Sequence, residues 1–115
     1  MAIQIKRAYE APTSGDGYRV LVDRVWPRGV KKDALRLDEW LKDLAPSTAL
    51  RQWFGHDPEK WAEFKTRYFR ELTAQAEQIK SLRQKAAQKT VTLVFGARDT
   101  QHSNAVALQE YLQRR

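Results

Sequence analysis

The sequence predicts an α/β fold: a small single domain with a parallel or mixed β-sheet of about three strands, packed with helices. Three observations lead there. Val91 to Phe95 form a continuous apolar run of branched and aromatic residues, as in a strand buried on both faces. Two earlier segments, Ile3 to Arg7 and Tyr18 to Val22, also read as strands. The chain between and after the strands carries apolar residues at helical spacing. A length of 115 residues suits one domain with a single core.

Ile3-Gln4-Ile5-Lys6-Arg7 alternates apolar and polar, as a half-buried strand does. Glu10 to Gly17, punctuated by Pro12, Gly15 and Gly17, is a loop. Val20, Leu21 and Val22 run continuously apolar, so the second strand is expected in a central position. After it comes Asp23-Arg24-Val25-Trp26-Pro27-Arg28-Gly29, where Pro27 pushes Trp26 out of the helical region. Lys31 to Leu35 read as a short helical turn or part of this loop.

Leu37, Trp40, Leu41 and Leu44 recur at i, i+3, i+4 and i+7 and predict an amphipathic helix ending at Pro46. Ser47 is placed to cap the next helix, with Leu50, Trp53 and Phe54 on its inner face and Gly55 as its left-handed end. Asp57 and Pro58 form a strong helix start. Trp61, Phe64, Tyr68, Leu72, Ala76, Ile79 and Leu82 then mark one long helix, or two with a kink, to about Gln88. A final helix is expected from about Thr100 to Gln113, capped by Asp99 or Thr100.

Composition narrows the classes. The chain is 42% hydrophobic and 30% charged, with 4 Trp, 4 Tyr and 4 Phe, which argues against disorder. It has no cysteine, so thiolate catalysis, disulfides and Cys-ligated zinc are excluded. No apolar stretch is long enough for a signal peptide core or a membrane span, and a cytoplasmic location without membrane contact is expected. The net charge is +7. Residues 65–90 carry seven basic residues against Glu71 and Glu77, an excess of +5. That segment is either a solvated helix face or a stripe that meets nucleic-acid phosphates.

In open α/β sheets, ligands sit beyond the carboxyl ends of strands. Right-handed crossovers would place the ends of the second and the last strand side by side. Asp23, Arg24 and Arg28 would then approach Arg98, Asp99, His102 and Asn104. Guanidinium forks match phosphate and carboxylate, so Arg24, Arg28 and Arg98 are candidate anion ligands, with Asn104 beside them and Trp26 as a wall. Two of them have a structural alternative: Trp26 as a core or rim aromatic, Arg24 as a partner of Asp23 or another nearby carboxylate.

His102 is a candidate general acid or base, with Asp99 orienting it or simply capping its N–H. His56, with Asp57, is a candidate from another loop. No His or carboxylate pair has metal-ligand spacing, so no metal site is expected. Ser103 adjoins His102 but sits in no nucleophile elbow. There is neither G-x-G-x-x-G nor a P-loop, and the sequence names no cofactor.

Four segments together resemble a known family: Arg19-Val-Leu-Val-Asp-Arg-Val-Trp-Pro-Arg-Gly29, Leu44-Ala-Pro-Ser-Thr48, Arg51-Gln-Trp-Phe-Gly-His-Asp-Pro58, and Ala97-Arg-Asp99 with His102-Ser-Asn-Ala-Val106. In this order they resemble the bacterial domain of unknown function 488, YeaO-like branch. The resemblance spans nearly the whole chain. It implies a small cytoplasmic α/β protein and names no activity. Regulator and methyltransferase labels used in that family find neither a helix-turn-helix signature nor a glycine-rich cofactor loop here. The residues lead to a protein that binds, and could transform, an anionic small molecule in an arginine-rich pocket. The alternative is a nucleic-acid-associated module using residues 65–90. A third reading makes the motif residues purely structural.

Overall fold

A computed structural model describes residues 2–114. Four strands form one parallel sheet: β1 (Ile3–Arg7), β2 (Tyr18–Leu21), β3 (Glu39–Trp40) and β4 (Val91–Phe95), in the order β1-β4-β2-β3. The apolar run of β4 lies in the interior, and all five of its residues are buried. It pairs Ile3 with Val91 through Arg7 with Phe95 on one side, and Tyr18 with Val91 through Leu21 with Val94 on the other. β2 and β4 are therefore parallel neighbours whose carboxyl ends lie together. The Val22 N–H extends the ladder by donating to the Val94 carbonyl at 3.1 Å.

Among the described residues, five α-helices connect and cover the strands: α1 (Lys32–Leu35), α2 (Thr48–Phe54), α3 (Trp61–Leu72), α4 (Ala76–Gln88) and α5 (Asn104–Gln113). The expected caps of α2 form. Ser47 Oγ accepts from the Leu50 N–H at 3.1 Å, and Gly55 closes the helix at a φ of 54°. Asp57 accepts from the Glu59 N–H, and Pro58 opens the turn that leads into α3. The long aromatic pattern divides into α3 and α4 at a short turn over Thr73–Gln75, where the Thr73 hydroxyl donates back to the Arg70 carbonyl. Among the described residues, no helix is long and apolar enough to cross a membrane.

The two faces of the sheet bury unequal cores. The larger holds Val20, Val22, Leu93 and Phe95 with Leu50, Phe64, Tyr68, Leu82 and Leu108 from the helices. The smaller gathers Ala8, Leu21, Leu35 and Val94 with Trp26, Val30, Leu37 and Trp40. The radius of gyration, 13.3 Å, is that of a compact chain of this length.

Two expectations are corrected. Residues 37–44 do not form a helix. Glu39–Trp40 is the fourth strand, and Lys42–Leu44 is a single 3-10 turn. The open edge of β2 takes this segment: Val20 pairs with Glu39, the Asp38 N–H donates to the Arg19 carbonyl, and Asp38 Oδ2 accepts from the Arg19 N–H. The apolar stripe is shared between two cores. Leu37 and Trp40 enter the smaller, Leu41 and Leu44 the larger. Strand pairing along β2 outweighs a helical spacing of four residues.

The last helix begins at Asn104 rather than near Thr100, and its cap is Ser103, whose Oγ accepts from the Val106 N–H at 3.3 Å. Asp99 is spent on a separate turn. Its Oδ1 accepts from the Gln101 and His102 N–H groups at 2.8 and 2.9 Å. Those bonds satisfy the donors that a helix starting at Thr100 would have left to its cap.

Candidate functional site

Beyond the carboxyl ends of β2 and β4 lies a cleft of about 370 Å³. Asp23 borders it. The chain leaves β2 through Val22, and Asp23 faces the point where Gly96 leaves β4. The Gly96 N–H donates to Asp23 Oδ2 at 2.8 Å. A Cβ at Gly96 would lie 3.2 Å from that oxygen, so glycine allows the approach. Asn104, the first residue of α5, donates through Nδ2 to Asp23 Oδ1 and to the Val22 carbonyl, both at 3.0 Å. One side chain thus ties the helix to the end of the strand.

Burial pushes the Asp23 carboxyl above its ordinary range, while Asn104, the Gly96 N–H and the field of Arg51 pull it down. Burial prevails. Among the described residues no cation forms an ion pair with this carboxylate.

Two guanidinium groups line the cleft. Arg24 is held along its wall, donating to the Ala45 and Pro46 carbonyls at 3.2 and 3.4 Å. That anchoring uses only part of its fork of donors. Arg51 comes from the exposed side of α2. His56, just past the end of α2, also lines the cleft and holds a φ of 57°. A left-handed φ costs a non-glycine residue about 1–3 kcal/mol and tends to occur where function retains it.

His102 completes the set. Its Nδ1 lies 3.0 Å from Asp99 Oδ2, and its ring packs edge-on against Trp61 at 5.3 Å. A carboxylate accepts only, so the proton is assigned to Nδ1 and Nε2 is left free. The Gln101 N–H holds the Asp99 carboxyl below its ordinary range; burial opposes this, and His102 adds to the lowering. Phe54, Phe64 and Ala97 supply apolar surface.

Of the residues singled out in the sequence, Asp23, Arg24, His56, His102 and Asn104 line this cleft. Asp99 stands behind His102 as its partner. The other three lie elsewhere. Trp26 donates from Nε1 to the Val30 carbonyl at 2.7 Å and meets Trp40 edge-on at 5.4 Å, in the smaller core. Arg28 is exposed, and its carbonyl accepts from the Tyr9 hydroxyl. Arg98 is exposed and is not among the residues bordering the cleft.

Four of the seven basic residues of 65–90 have partners on the protein. Lys65 pairs with Glu110, Arg67 pairs with Glu63 and stacks on Trp53, Arg83 donates to the Tyr111 and Leu112 carbonyls, and Lys85 lies over Tyr18.

The sequence matches, over residues 2–115, the family described as "Inactive DUF488-N3 subclade". The chain belongs to the DUF488-N3 family. It is similar to the "Uncharacterized protein YeaO" of Escherichia coli (strain K12), 42% identical over 112 residues covering 97% of each chain. It is equally similar to the "Uncharacterized protein Rv3073c" of Mycobacterium tuberculosis (strain ATCC 25618 / H37Rv), at 42% over 110 residues, 96% of this chain and 92% of that one. No solved structure matches it.

In this DUF488-N3 chain, sequence reasoning passed over Arg51 as a site residue. It sits inside one of the four segments that carry the family resemblance, separated by Gln52 from the Trp53-Phe54 pair that marks the inner face of α2. A charged residue on the outer side of a short helix is ordinarily a solvated one. Only the packing of α2 beside the β2 exit turns it toward Asp23.

Proposed function

We propose that this chain binds a small anionic molecule in the cleft beyond β2 and β4. One observation carries the reading: Arg24, Arg51, His56 and His102 border a single concave site that Phe54 and Phe64 partly desolvate. Two guanidinium forks beside one apolar wall hold an anion better than either alone, through charge-assisted and bidentate hydrogen bonds. His102 adds a polar ring edge to the same site, its Nδ1 held by Asp99 at 3.0 Å and its Nε2 without a partner among the described residues. The family description, an inactive subclade, favours binding without turnover.

The nucleic-acid reading has weaker support, because Lys65, Arg67, Arg83 and Lys85 already have partners on the protein.

The test is a titration of isotope-labelled protein with inorganic phosphate, followed by NMR. The expected result is saturable shifts at His102, Asn104 and the Arg51 side chain, lost in Arg51→Ala while its melting temperature holds. Shifts confined to residues 65–90, or none at all, would overturn the reading.

A further inference from the structure

The cleft is not built for a bare anion. Asp23 borders it, and a doubly charged phosphate against this carboxylate would be repelled. Each Asp23 oxygen accepts one hydrogen bond from the protein, from Gly96 and from Asn104. A carboxylate has roughly four acceptor positions, so about half remain open. Asn104 adds another. Both partners of its Nδ2, the Val22 carbonyl and Asp23 Oδ1, are acceptors, which fixes the orientation of the amide. Its Oδ1 takes no donor among the described residues, and Asn104 also borders the cleft. Two adjacent acceptors, held rigidly by a strand end and a helix start, thus stand open in a site that two guanidinium groups also line.

We infer that the ligand is a hydroxylated organic anion, whose charged end lies with Arg24 and Arg51 and whose neighbouring hydroxyls donate to Asp23 and Asn104. This rests on the anion-binding reading and makes it narrower. Hydroxyls fit better than an ammonium group, because two guanidinium groups already line the cleft, Arg51 acting on the carboxylate itself, and would repel a further cation. Burial of Asp23 acts in the same direction, since a desolvated carboxylate gains most from donors that do not have to displace bulk water.

The experiment uses three probes on the full chain: inorganic phosphate, propyl phosphate and glycerol 3-phosphate. The last two share a three-carbon chain and differ in the hydroxyls. Calorimetry is expected to give glycerol 3-phosphate an affinity at least about tenfold above that of propyl phosphate, as for one or two hydrogen bonds to a charged acceptor. In Asp23→Asn the gap should close while phosphate binds no more weakly, with a thermal melt confirming the fold. The two organic phosphates are compared on the unaltered protein, so the test survives a variant that fails to fold. Equal affinities would overturn this inference and leave anion binding standing. If none of the three probes binds, both fall.

Discussion

Two aspartates bracket β2, and they are held in opposite ways. Asp16, just before the strand, is buried against two cations, Arg19 Nη1 at 2.6 Å and Lys6 Nζ at 2.9 Å, and also accepts from the Thr13 N–H and hydroxyl. Arg19 is itself completed by the Leu35 carbonyl. Asp23, just after the strand, has only an amide N–H and an amide side chain. Burial pushes both carboxyls up. At Asp16, Lys6, Thr13 and Arg19 overcome it and hold the group well below the carboxylate range; at Asp23, burial wins. The amino end of β2 is therefore a closed network with its hydrogen-bonding capacity used, and the carboxyl end is an open one. Saturation marks a structural staple, and unspent acceptors beside unpaired cations mark a place for something else.

The sharpest way to break this comparison is Asp16→Ala. It leaves Arg19 buried without its counter-charge, a loss of about 3–5 kcal/mol, read by urea unfolding at neutral pH. The acid response should differ too. A carboxyl held below its ordinary value contributes stability above about pH 4, and that contribution fades as pH falls through this value. Wild type should lose stability steeply there, and Asp16→Ala should flatten that limb. An equally steep limb in the variant would mean that other carboxylates govern acid unfolding.

Gly17 sharpens the same end. Its φ is 63°, and a Cβ would stand 2.3 Å from the Thr90 carbonyl oxygen. Gly17→Ala should cost about 2–3 kcal/mol through strain and displaced backbone. Gly96→Ala, whose Cβ would meet the Asp23 carboxylate at 3.2 Å and Pro27 Cβ at an ordinary 3.9 Å, should cost less and act chiefly on ligand binding. Equal losses of melting temperature at the two glycines would erase the distinction between the two ends.

That distinction was half visible in the sequence. The Val20-Leu21-Val22 and Val91 to Phe95 runs mark interior strands, so the meeting of Asp23 with the start of the last helix follows from topology. Ser47, Gly55 and Asp57 announce their caps through local chemistry that needs no tertiary partner. What stayed hidden was set by distant partners. Residues 37–44 carry a helical spacing, yet β2 recruits Glu39–Trp40 as a strand and the two cores divide the stripe. Arg98 and Arg28 follow strand ends just as Arg24 does, but the loops turn them outward. Arg51 enters the cleft because of how a helix packs, which no spacing within α2 records.

At the open end, Asp23→Asn is expected to cost about 1–2 kcal/mol, because one of its donors, Gly96 or Asn104, must then face an NH₂ group. Its pH response should have the opposite sign to that of Asp16. A carboxyl raised in the folded state binds its proton more tightly there. Stability from this site therefore falls as pH rises from the ordinary carboxylate value through the raised one. Asp23→Asn should remove that decline, and thermal melts between pH 4 and neutrality would register it. A variant as damaged as Asp16→Ala would make Asp23 a second staple.

The smallest effects are expected at the arginines, and they decide where an anion sits. Arg51→Ala and Arg98→Ala should each change stability by no more than about 0.5 kcal/mol, since both side chains are exposed and neither forms an ion pair among the described residues. They should separate in phosphate binding, because only Arg51 borders the cleft and acts on Asp23. Weakened binding in Arg51→Ala with unaltered binding in Arg98→Ala places the anion inside the cleft beside the open carboxylate. The reverse pattern would move it out to the loop after β4, where Asp23 cannot reach it, and the contrast between the two ends of β2 would then concern folding alone.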